Sequence, residues 1–250
     1  MKFLAFDTST DVMSIAVTDG ARVWQHTGPG GAKASTTLIP ASLALLAESG
    51  LLLADLDAVA FGRGPGSFTG LRTACAVAQG LAYGAGGGVS IKVLPIDTLM
   101  AVAEEARFQQ AVAATDMTPL HITALLDARM DEMYVQRFQF VGKHCTAVDA
   151  CQLIRPENLA VHLFSDAADN LLAGNVFDVY QGRLPPFPQG VNVVRALPTA
   201  TALLRLAPVL ASSGHAVDAA LALPLYVRDK VALTTEERAI VKEQKATLHR

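Results

Sequence analysis

The sequence is poor in cysteine and in charged residues. Its three cysteines, Cys75, Cys145 and Cys151, are odd in number and form no CxxC pair, which argues against a disulfide framework and is typical of a reducing cytoplasm. Charged residues make up only 17% of the 250 residues and the formal net charge is −3. A basic surface for gripping nucleic acid is therefore missing. We expect a cytoplasmic protein, and if RNA is involved, another subunit would supply the positive surface.

Long apolar runs and a signal segment are also missing. The richest apolar stretch, residues 38–61, is interrupted by Pro40 and by three acidic residues. The apolar run at the N-terminus stops at Asp7, which is too short for a signal peptide. Neither stretch reaches the ~18 apolar residues of a membrane span. We expect no membrane contact.

The histidines lack the spacing of a helical metal site. Two metal ligands on one helix face stand four residues apart, and no two of the six histidines do. We therefore expect no metal and no cofactor. The six are His26, His121, His144, His162, His215 and His249.

Hydrophobic residues are abundant, at 51% of the chain, which predicts a folded protein with a large core. Two strand-rich blocks are separated by a predicted helix near residue 105, so we expect two lobes of related design. The predicted division is an N-terminal lobe over residues 1–108, a C-terminal lobe over 109–230 and a tail over 231–250. We expect the last helix of the second lobe to pack back on the first.

The N-terminal block opens with a predicted three-stranded meander, and Asp19-Gly20 is a strong hairpin signal between its last two strands. Ser35 is a candidate N-cap and Gly50 a candidate stop for the helix that follows. The predicted strands are residues 2–6, 13–18, 22–26, 56–61 and 89–94, and the predicted helices are 36–49, 73–83 and 97–108.

The C-terminal block has weaker signals. We expect strands over residues 121–126, 132–140 and 145–148 and a helix over 198–212. The remaining expectations are a linker over 113–119, a short helix over 156–163, an irregular loop over 177–188 and a short helix after Thr234.

A glycine-rich loop lies between the strand at 56–61 and the helix at 73–83. Four glycines and a proline within nine residues predict a tight turn, because glycine reaches backbone angles that other residues avoid. Such a loop either presents backbone N–H groups to an anion or lets another backbone come very close. The candidate site residues of this signature loop are Gly62, Arg63, Gly64, Pro65, Gly66, Ser67, Thr69 and Gly70.

Two sets of polar residues have both a chemical and a structural interpretation. Ser67 and Thr69 stand near a helix N-terminus, where they could be nucleophiles, but no base is placed beside them and helix capping is favoured. Asp7, Thr8 and Ser9 follow the first strand and are candidate nucleotide contacts. Hydrogen bonding within their own turn is the favoured alternative.

The helix predicted after the loop carries small residues at every fourth position, Ala74, Ala78 and Ala82, with Cys75 and Gln79 beside them. Such a stripe allows another helix to pack closely. It fits either a partner helix or the chain's own sheet. We expect the predicted helix over 36–49 and this helix to form a partner interface together.

Four segments of the sequence resemble one known family. They are the loop Gly62–Arg72, the opening Leu4–Thr10, the segment Asp127–Tyr134 and the pentapeptide Pro224–Arg228. In this order they are similar to the signature segments of the TsaB (YeaZ) family. The chain departs from the family pattern at Ala34, where histidine is frequent, and at Asp131, where glycine is common.

The resemblance implies an α/β fold of the actin/sugar-kinase/Hsp70 (ASKHA) type, with two lobes of mixed sheets flanked by helices. It implies a scaffolding subunit with no catalytic residue of its own, which binds TsaD, helps to recruit the ATPase TsaE and can form a homodimer. The complex makes threonylcarbamoyladenosine (t6A) at position 37 of tRNAs that read ANN codons. The candidate interface residues are Ser35, Leu38, Ile39, Ser42, Leu46, Phe68, Arg72, Ala74, Cys75, Ala78, Gln79 and Ala82.

Two alternatives of another class stay open at this point. A small-molecule kinase or ATPase of the same superfamily would use Asp7 to position a metal and the signature loop as a phosphate cradle. A protease acting on TsaD is the other alternative, although no base supports it.

Overall fold

The computed structural model describes residues 1–85, 90–112, 115–159, 170–187 and 189–228. The predicted tail over 231–250, the helix after Thr234, residues 160–163 of the predicted short helix, and two histidines, His162 and His249, lie outside these residues.

The first sheet has five strands in the order β3-β2-β1-β4-β5. The first three strands form an antiparallel meander, and β4 and β5 add to β1 in parallel. The strands are β1 (Phe3–Asp7), β2 (Val12–Thr18), β3 (Val23–Pro29), β4 (Ala58–Gly64) and β5 (Lys92–Asp97). Every residue of β1 is buried because helices cover both faces of this sheet.

Three helices accompany the first sheet: α1 (Ala34–Ser49), α2 (Phe68–Tyr83) and α3 (Thr98–Gln109). Gly50 ends α1 with a left-handed conformation, as predicted. The start of α1 was predicted wrongly: a 3-10 turn over Gly31–Lys33 runs directly into the helix, so Lys33 is the N-cap and Ser35 lies inside the first turn.

The second sheet repeats the design of the first. Its order β8-β7-β6-β10-β11 has the same sequence of two antiparallel and two parallel pairings, and β9 pairs with β7. The strands are β6 (Leu120–Asp127), β7 (Met133–Val141), β8 (His144–Ala147), β9 (Gln152–Ile154), β10 (Asn170–Gly174) and β11 (Asn192–Arg195). This repeat confirms the predicted two-lobed ASKHA-type fold.

Two further helices belong to this half: α4 (Val176–Val179) and α5 (Ala200–Ser212). Helix α5 packs on β1 and β2 of the first sheet, and α3 packs on β6 of the second. The two helices also contact each other, so they form a layer between the sheets. The largest hydrophobic cluster lies in this layer, and α1 and α2 cover the outer face of the first sheet.

Candidate functional site

The four segments that carry the family resemblance meet at one cavity of about 430 Å³ between the lobes. Its walls come from the ends of β1, β4 and β6, together with the chain around Tyr226. The lining includes Ser9, Asp11, Gly66, Ser67, Thr69, Asp127, Arg129, Tyr134, Asn175, Tyr226 and Arg228.

The signature loop is shorter than the sequence suggested, because α2 begins at Phe68 rather than at residue 73. Ser67 is the N-cap of this helix, and its hydroxyl accepts from the Gly70 amide at 3.5 Å. Ser67 therefore has the capping role that was favoured. Thr69 lies within the first turn instead of capping it.

The glycines of the loop make room for other parts of the chain. A Cβ atom on Gly62 would overlap with the Asp7 carboxylate, and one on Gly70 would overlap with the Thr8 carbonyl. A Cβ on Gly66 would come within 2.6 Å of Ser9. At Gly64 the backbone has a φ of 122°, and a Cβ there would meet the Leu225 carbonyl oxygen at 2.5 Å.

Hydrogen bonds join the segments that these glycines bring together. The Ser67 amide donates to the Ser9 carbonyl at 2.8 Å, and the Thr8 hydroxyl donates to the Gly70 carbonyl at 2.8 Å. The Leu225 amide donates to the Arg63 carbonyl at 2.7 Å. Such a loop can present amides to an anion or allow another backbone to come close. The geometry fits the second role.

Asp7 is completely buried at the end of β1. Burial raises the pKa of its carboxyl from 3.8 to about 6, although the hydroxyl and amide of Ser9 both donate to Oδ1 and lower it. The Thr98 hydroxyl is near enough to lower the pKa further, yet neither Thr98 Oγ1 nor Asp7 Oδ2 has a partner of good hydrogen-bond geometry among the described residues.

Thr8 and Ser9 are buried as well. Among the three candidate nucleotide contacts, only Ser9 lines the cavity, and its hydroxyl is engaged by Asp7. These residues hydrogen-bond within their own turn and to the signature loop, which is the arrangement favoured above. A role in nucleotide binding remains a prediction.

The turn between β6 and β7 contributes the opposite wall of the cavity. Arg129, Met130 and Asp131 all have φ between 55° and 61°, a left-handed conformation that side chains disfavour. This conformation explains why glycine is common in the family at position 131, and aspartate is one of the side chains that tolerate it best. Arg129 pairs with Asp11 of the first lobe, and Asp127 accepts from the Tyr180 hydroxyl at 2.7 Å.

The Pro224–Arg228 segment runs from one lobe to the other. At its middle residue, Tyr226, it lies against Phe68, with ring centroids 4.9 Å apart. At its end Arg228 donates to Glu132 Oε2 at 2.6 Å. The segment therefore ties the signature loop to the β6–β7 turn.

The two arginines of the loop region have partners within the chain. Arg63 donates through Nε to Asp97 at 2.5 Å. The Arg72 guanidinium lies 3.8 Å from the centre of the Phe68 ring, and its Nε donates to the Tyr226 hydroxyl at 3.2 Å.

Seven of the twelve predicted interface residues are buried inside the chain, which corrects the prediction at those positions: Leu38, Ser42, Leu46, Ala74, Cys75, Ala78 and Ala82. The small-residue stripe faces the first sheet because α2 packs on β4. Ser35, Ile39, Phe68 and Arg72 are exposed and Gln79 is half-buried, so these five remain candidates. Gln79 also donates to the Ala222 carbonyl at 3.1 Å.

The outward side of the two helices carries other small and apolar residues. Ala76 and Gly80 are exposed on α2, where they form a second small stripe that the predicted interface residues did not include. We call the α1–α2 face the exposed surface formed by Ile39, Leu43, Phe68, Ala76, Gly80 and Tyr83. The signal was present in the sequence, because α2 has small residues on both sides.

No group of three or more histidine, cysteine or acidic residues is close enough to hold a metal ion within the described ranges. None of the helices in those ranges combines the length and apolar character needed to cross a bilayer.

Comparisons with known proteins agree on one family. A family model described as TsaD, tRNA N6-adenosine threonylcarbamoyltransferase, matches residues 29–245. The tRNA threonylcarbamoyladenosine biosynthesis protein TsaB of Haemophilus influenzae is 31% identical over 92% of this chain and 95% of that protein. The Escherichia coli protein of the same name is 28% identical over 93% and 96%. The structure of YeaZ from Pseudomonas aeruginosa matches with a TM-score of 0.77 at 35% identity, over 90% of this chain and 99% of that one.

Proposed function

The chain belongs to the TsaB (YeaZ) family, and on this premise we propose that it is a non-catalytic scaffolding and activating subunit in the formation of t6A at position 37 of tRNAs that read ANN codons. The single observation that carries the proposal is the identity to proteins named TsaB along nearly the whole chain. The matching family model is described by the name TsaD, but the full-length relatives are TsaB proteins.

The state of the inter-lobe cavity supports a non-catalytic role. A phosphate cradle needs free backbone amides, whereas the Ser67 and Leu225 amides of this region already donate within the chain. Asp127, the counterpart of Asp7 in the second lobe, is engaged by Tyr180 and by the Arg129 amide. The groups that would position a nucleotide instead hold segments of the chain together.

We propose that TsaD docks on the α1–α2 face. Ile39 and Leu43 are 43% and 45% exposed, and Tyr83 is 60% exposed. Exposed apolar side chains beside small residues suit the close packing of helices. Ala76 and Gly80 would let a helix approach α2, and Phe68 would lie at the edge of the contact. A homodimer would use the same face, so it would compete with TsaD, and TsaE would join the TsaB–TsaD pair.

The test is the formation of t6A on substrate tRNA by TsaD, TsaE and the enzyme that makes the threonylcarbamoyl donor, with and without this chain. We expect activity to require the chain. The double variant Ala76→Arg, Gly80→Arg places two charges on the α1–α2 face and should fail both to bind TsaD and to restore activity. Gln109→Arg, at the exposed end of α3, is the matched control and should behave like the parent chain.

Activity that is the same without the chain would overturn the scaffold proposal. The kinase or ATPase alternative would then be examined through the melting temperature, because a ligand that binds only the folded state raises it. Mg-ATP should leave the melting temperature of the isolated chain unchanged if the scaffold proposal holds. If the chain is required but the double variant still works, the docking face alone is wrong.

A further inference from the structure

A second cavity, of about 370 Å³, lies where edge strand β5 of the first sheet approaches edge strand β8 of the second. Helix α5 supplies the third side. This cavity shares no lining residue with the inter-lobe cavity that holds the family segments. Arg63 of the signature loop lines it, but the proposed scaffold role makes no use of this cavity.

The polar side of this cavity is rich in nitrogen groups. Arg63, Lys143, His144 and His215 line it, and Asp97 is the only acidic residue in the lining. Asp97 is already paired with Arg63 at 2.5 Å. Lys143 and His144 are exposed, and their side chains have no hydrogen-bond or ion-pair partner among the described residues. One ammonium group and one imidazole are therefore left free to meet an anion.

His215 is held in a defined orientation at the same opening. Its Nδ1 lies 3.2 Å from the Leu210 carbonyl oxygen, which can only accept, so Nδ1 is the donor. In the neutral ring Nε2 is then an acceptor and offers an anion no donor, so the anion has to be met by other groups of the lining. Only Nε of Arg63 contacts Asp97, so the two terminal nitrogens, Nη1 and Nη2, stay available to a ligand.

The remaining side of the cavity is apolar. It is formed by Pro95, Ile96, Met100, Cys145, Leu206, Val209 and Leu210. Burial raises the pKa of the Cys145 thiol well above its ordinary value, so this group is an uncharged part of the wall at neutral pH. Glu104 and Arg107 lie near Cys145 but pair with each other at 2.8 Å. Small-molecule sites commonly combine an apolar wall with a few placed polar groups.

We propose that this cavity binds a small organic anion, with its acidic group at Lys143 and Arg63 and its apolar part against Met100 and Leu210. The ligand class is an aromatic or aliphatic body that carries one carboxylate, sulfonate or phosphate. A free inorganic anion would not use the apolar wall, and an uncharged hydrocarbon would not use Lys143. The proposal does not depend on the scaffold role, and either one can fail alone.

The test uses the full chain labelled with ¹³C at the methionine methyl groups and the probe 8-anilinonaphthalene-1-sulfonate. Met100 lines this cavity, whereas Met130 lines the inter-lobe cavity, so the two signals report separately on the two sites. Met100→Leu identifies the Met100 signal. We expect that signal to shift and saturate at one probe per chain while the Met130 signal stays in place. A Met100 signal that does not move would overturn the proposal.

Charge reversal tests the role of Lys143. Lys143→Glu should weaken probe binding at least tenfold, while Lys33→Glu, the same change at an exposed position outside the cavity, should leave binding within twofold. N-phenyl-1-naphthylamine, which lacks the sulfonate, should bind at least tenfold more weakly than the probe. Unchanged melting temperatures show that both variants fold. Equal affinity of Lys143→Glu and the parent chain would overturn the proposal.

Discussion

Asp7 lies in surroundings that disfavour its charge. Its folded-state pKa of about 6 stands above the value of 3.8 for an exposed carboxyl, so the folded chain holds this proton more tightly than the unfolded chain. The contribution of Asp7 to stability is therefore greatest at low pH and is lost as the pH rises from about 4 to about 6.

Asp7→Asn should raise the free energy of unfolding at pH 7.5 by on the order of 2–3 kcal/mol, because it removes a buried charge and keeps the oxygen that accepts from Ser9. The gain should be much smaller at pH 4.5, where the folded parent chain is already protonated. Urea unfolding at the two pH values measures the difference. An equal gain in the free energy of unfolding at both pH values would contradict the buried charge of Asp7 as its cause.

Gly70 and Gly80 offer a matched pair on one helix. A Cβ on Gly70 would overlap with the Thr8 carbonyl, whereas a Cβ on Gly80 would meet nothing within 4 Å. Gly70→Ala should lower the free energy of unfolding by roughly 1–3 kcal/mol or more. Gly80→Ala should raise it by about 0.5–1 kcal/mol, because alanine favours the helix.

Urea unfolding of the two alanine variants would decide between packing and mere helix propensity at these glycines. Changes of opposite sign in the free energy of unfolding support the close approach of the hairpin turn to the signature loop. If both substitutions stabilise the chain, the contact between Gly70 and Thr8 is not tight.

At the scale of elements, the Pro224–Arg228 segment is coupled to α2 through one aromatic contact. Phe68 and Tyr226 lie 4.9 Å apart at their ring centres, and such pairs contribute about 0.5–1.5 kcal/mol. A double-mutant cycle of Phe68→Ala and Tyr226→Ala should show a coupling energy in that range. Leu52→Ala, at a side chain that is 70% exposed, should add to Tyr226→Ala without coupling. Additive effects of Phe68→Ala and Tyr226→Ala would show that the segment is not held there.

The elements that could be predicted from sequence are those with a clear hydrophobic pattern and clear start or stop residues. Strand β1 is a continuous apolar run, β2 alternates from Met13 to Thr18, and α1 ends at a glycine. The start of α2 was missed because Gly66 and Gly70 look like loop residues, although Ser67 caps the helix between them. Strands β9, β10 and β11, of three to five residues each, were not predicted.

The candidate site was predictable in its segments but not in its contacts. The signature loop and the Asp7 turn were singled out by residue type, and the Pro224–Arg228 segment by the family resemblance. Their meeting at one cavity depends on pairings such as Ser67 with Ser9, which lie far apart in the chain. The side of α2 that faces outward could not be chosen, because Ala74 and Ala76 have the same small side chain and opposite exposure.

At the scale of the whole molecule, the lobes share one core. Its largest cluster contains Phe3 and Ala60 of the first sheet together with Phe138 and Leu171 of the second. Arg205 of α5 also donates to Glu104 and Glu105 of α3, at 2.8 and 2.7 Å. The two lobes therefore depend on each other for burial.

We expect the chain to unfold in one transition rather than lobe by lobe. Trp24, the only tryptophan, lies on β3 of the first lobe, so its fluorescence reports that lobe alone. Far-UV circular dichroism reports both. The two urea curves should coincide, and a fluorescence midpoint clearly apart from the dichroism midpoint would mean that the lobes unfold separately.

The close fit of Gly62, Gly66 and Gly70 against the hairpin turn means that this stretch serves as a joint between segments of one chain. In a screen of random variants for a working subunit, these positions should tolerate as little change as the catalytic residues of an enzyme, although the proposed scaffold role assigns them no reaction. A glycine pattern of this kind marks where segments of the chain are in close contact. The pattern therefore indicates tight packing of segments, whether or not the protein is a catalyst.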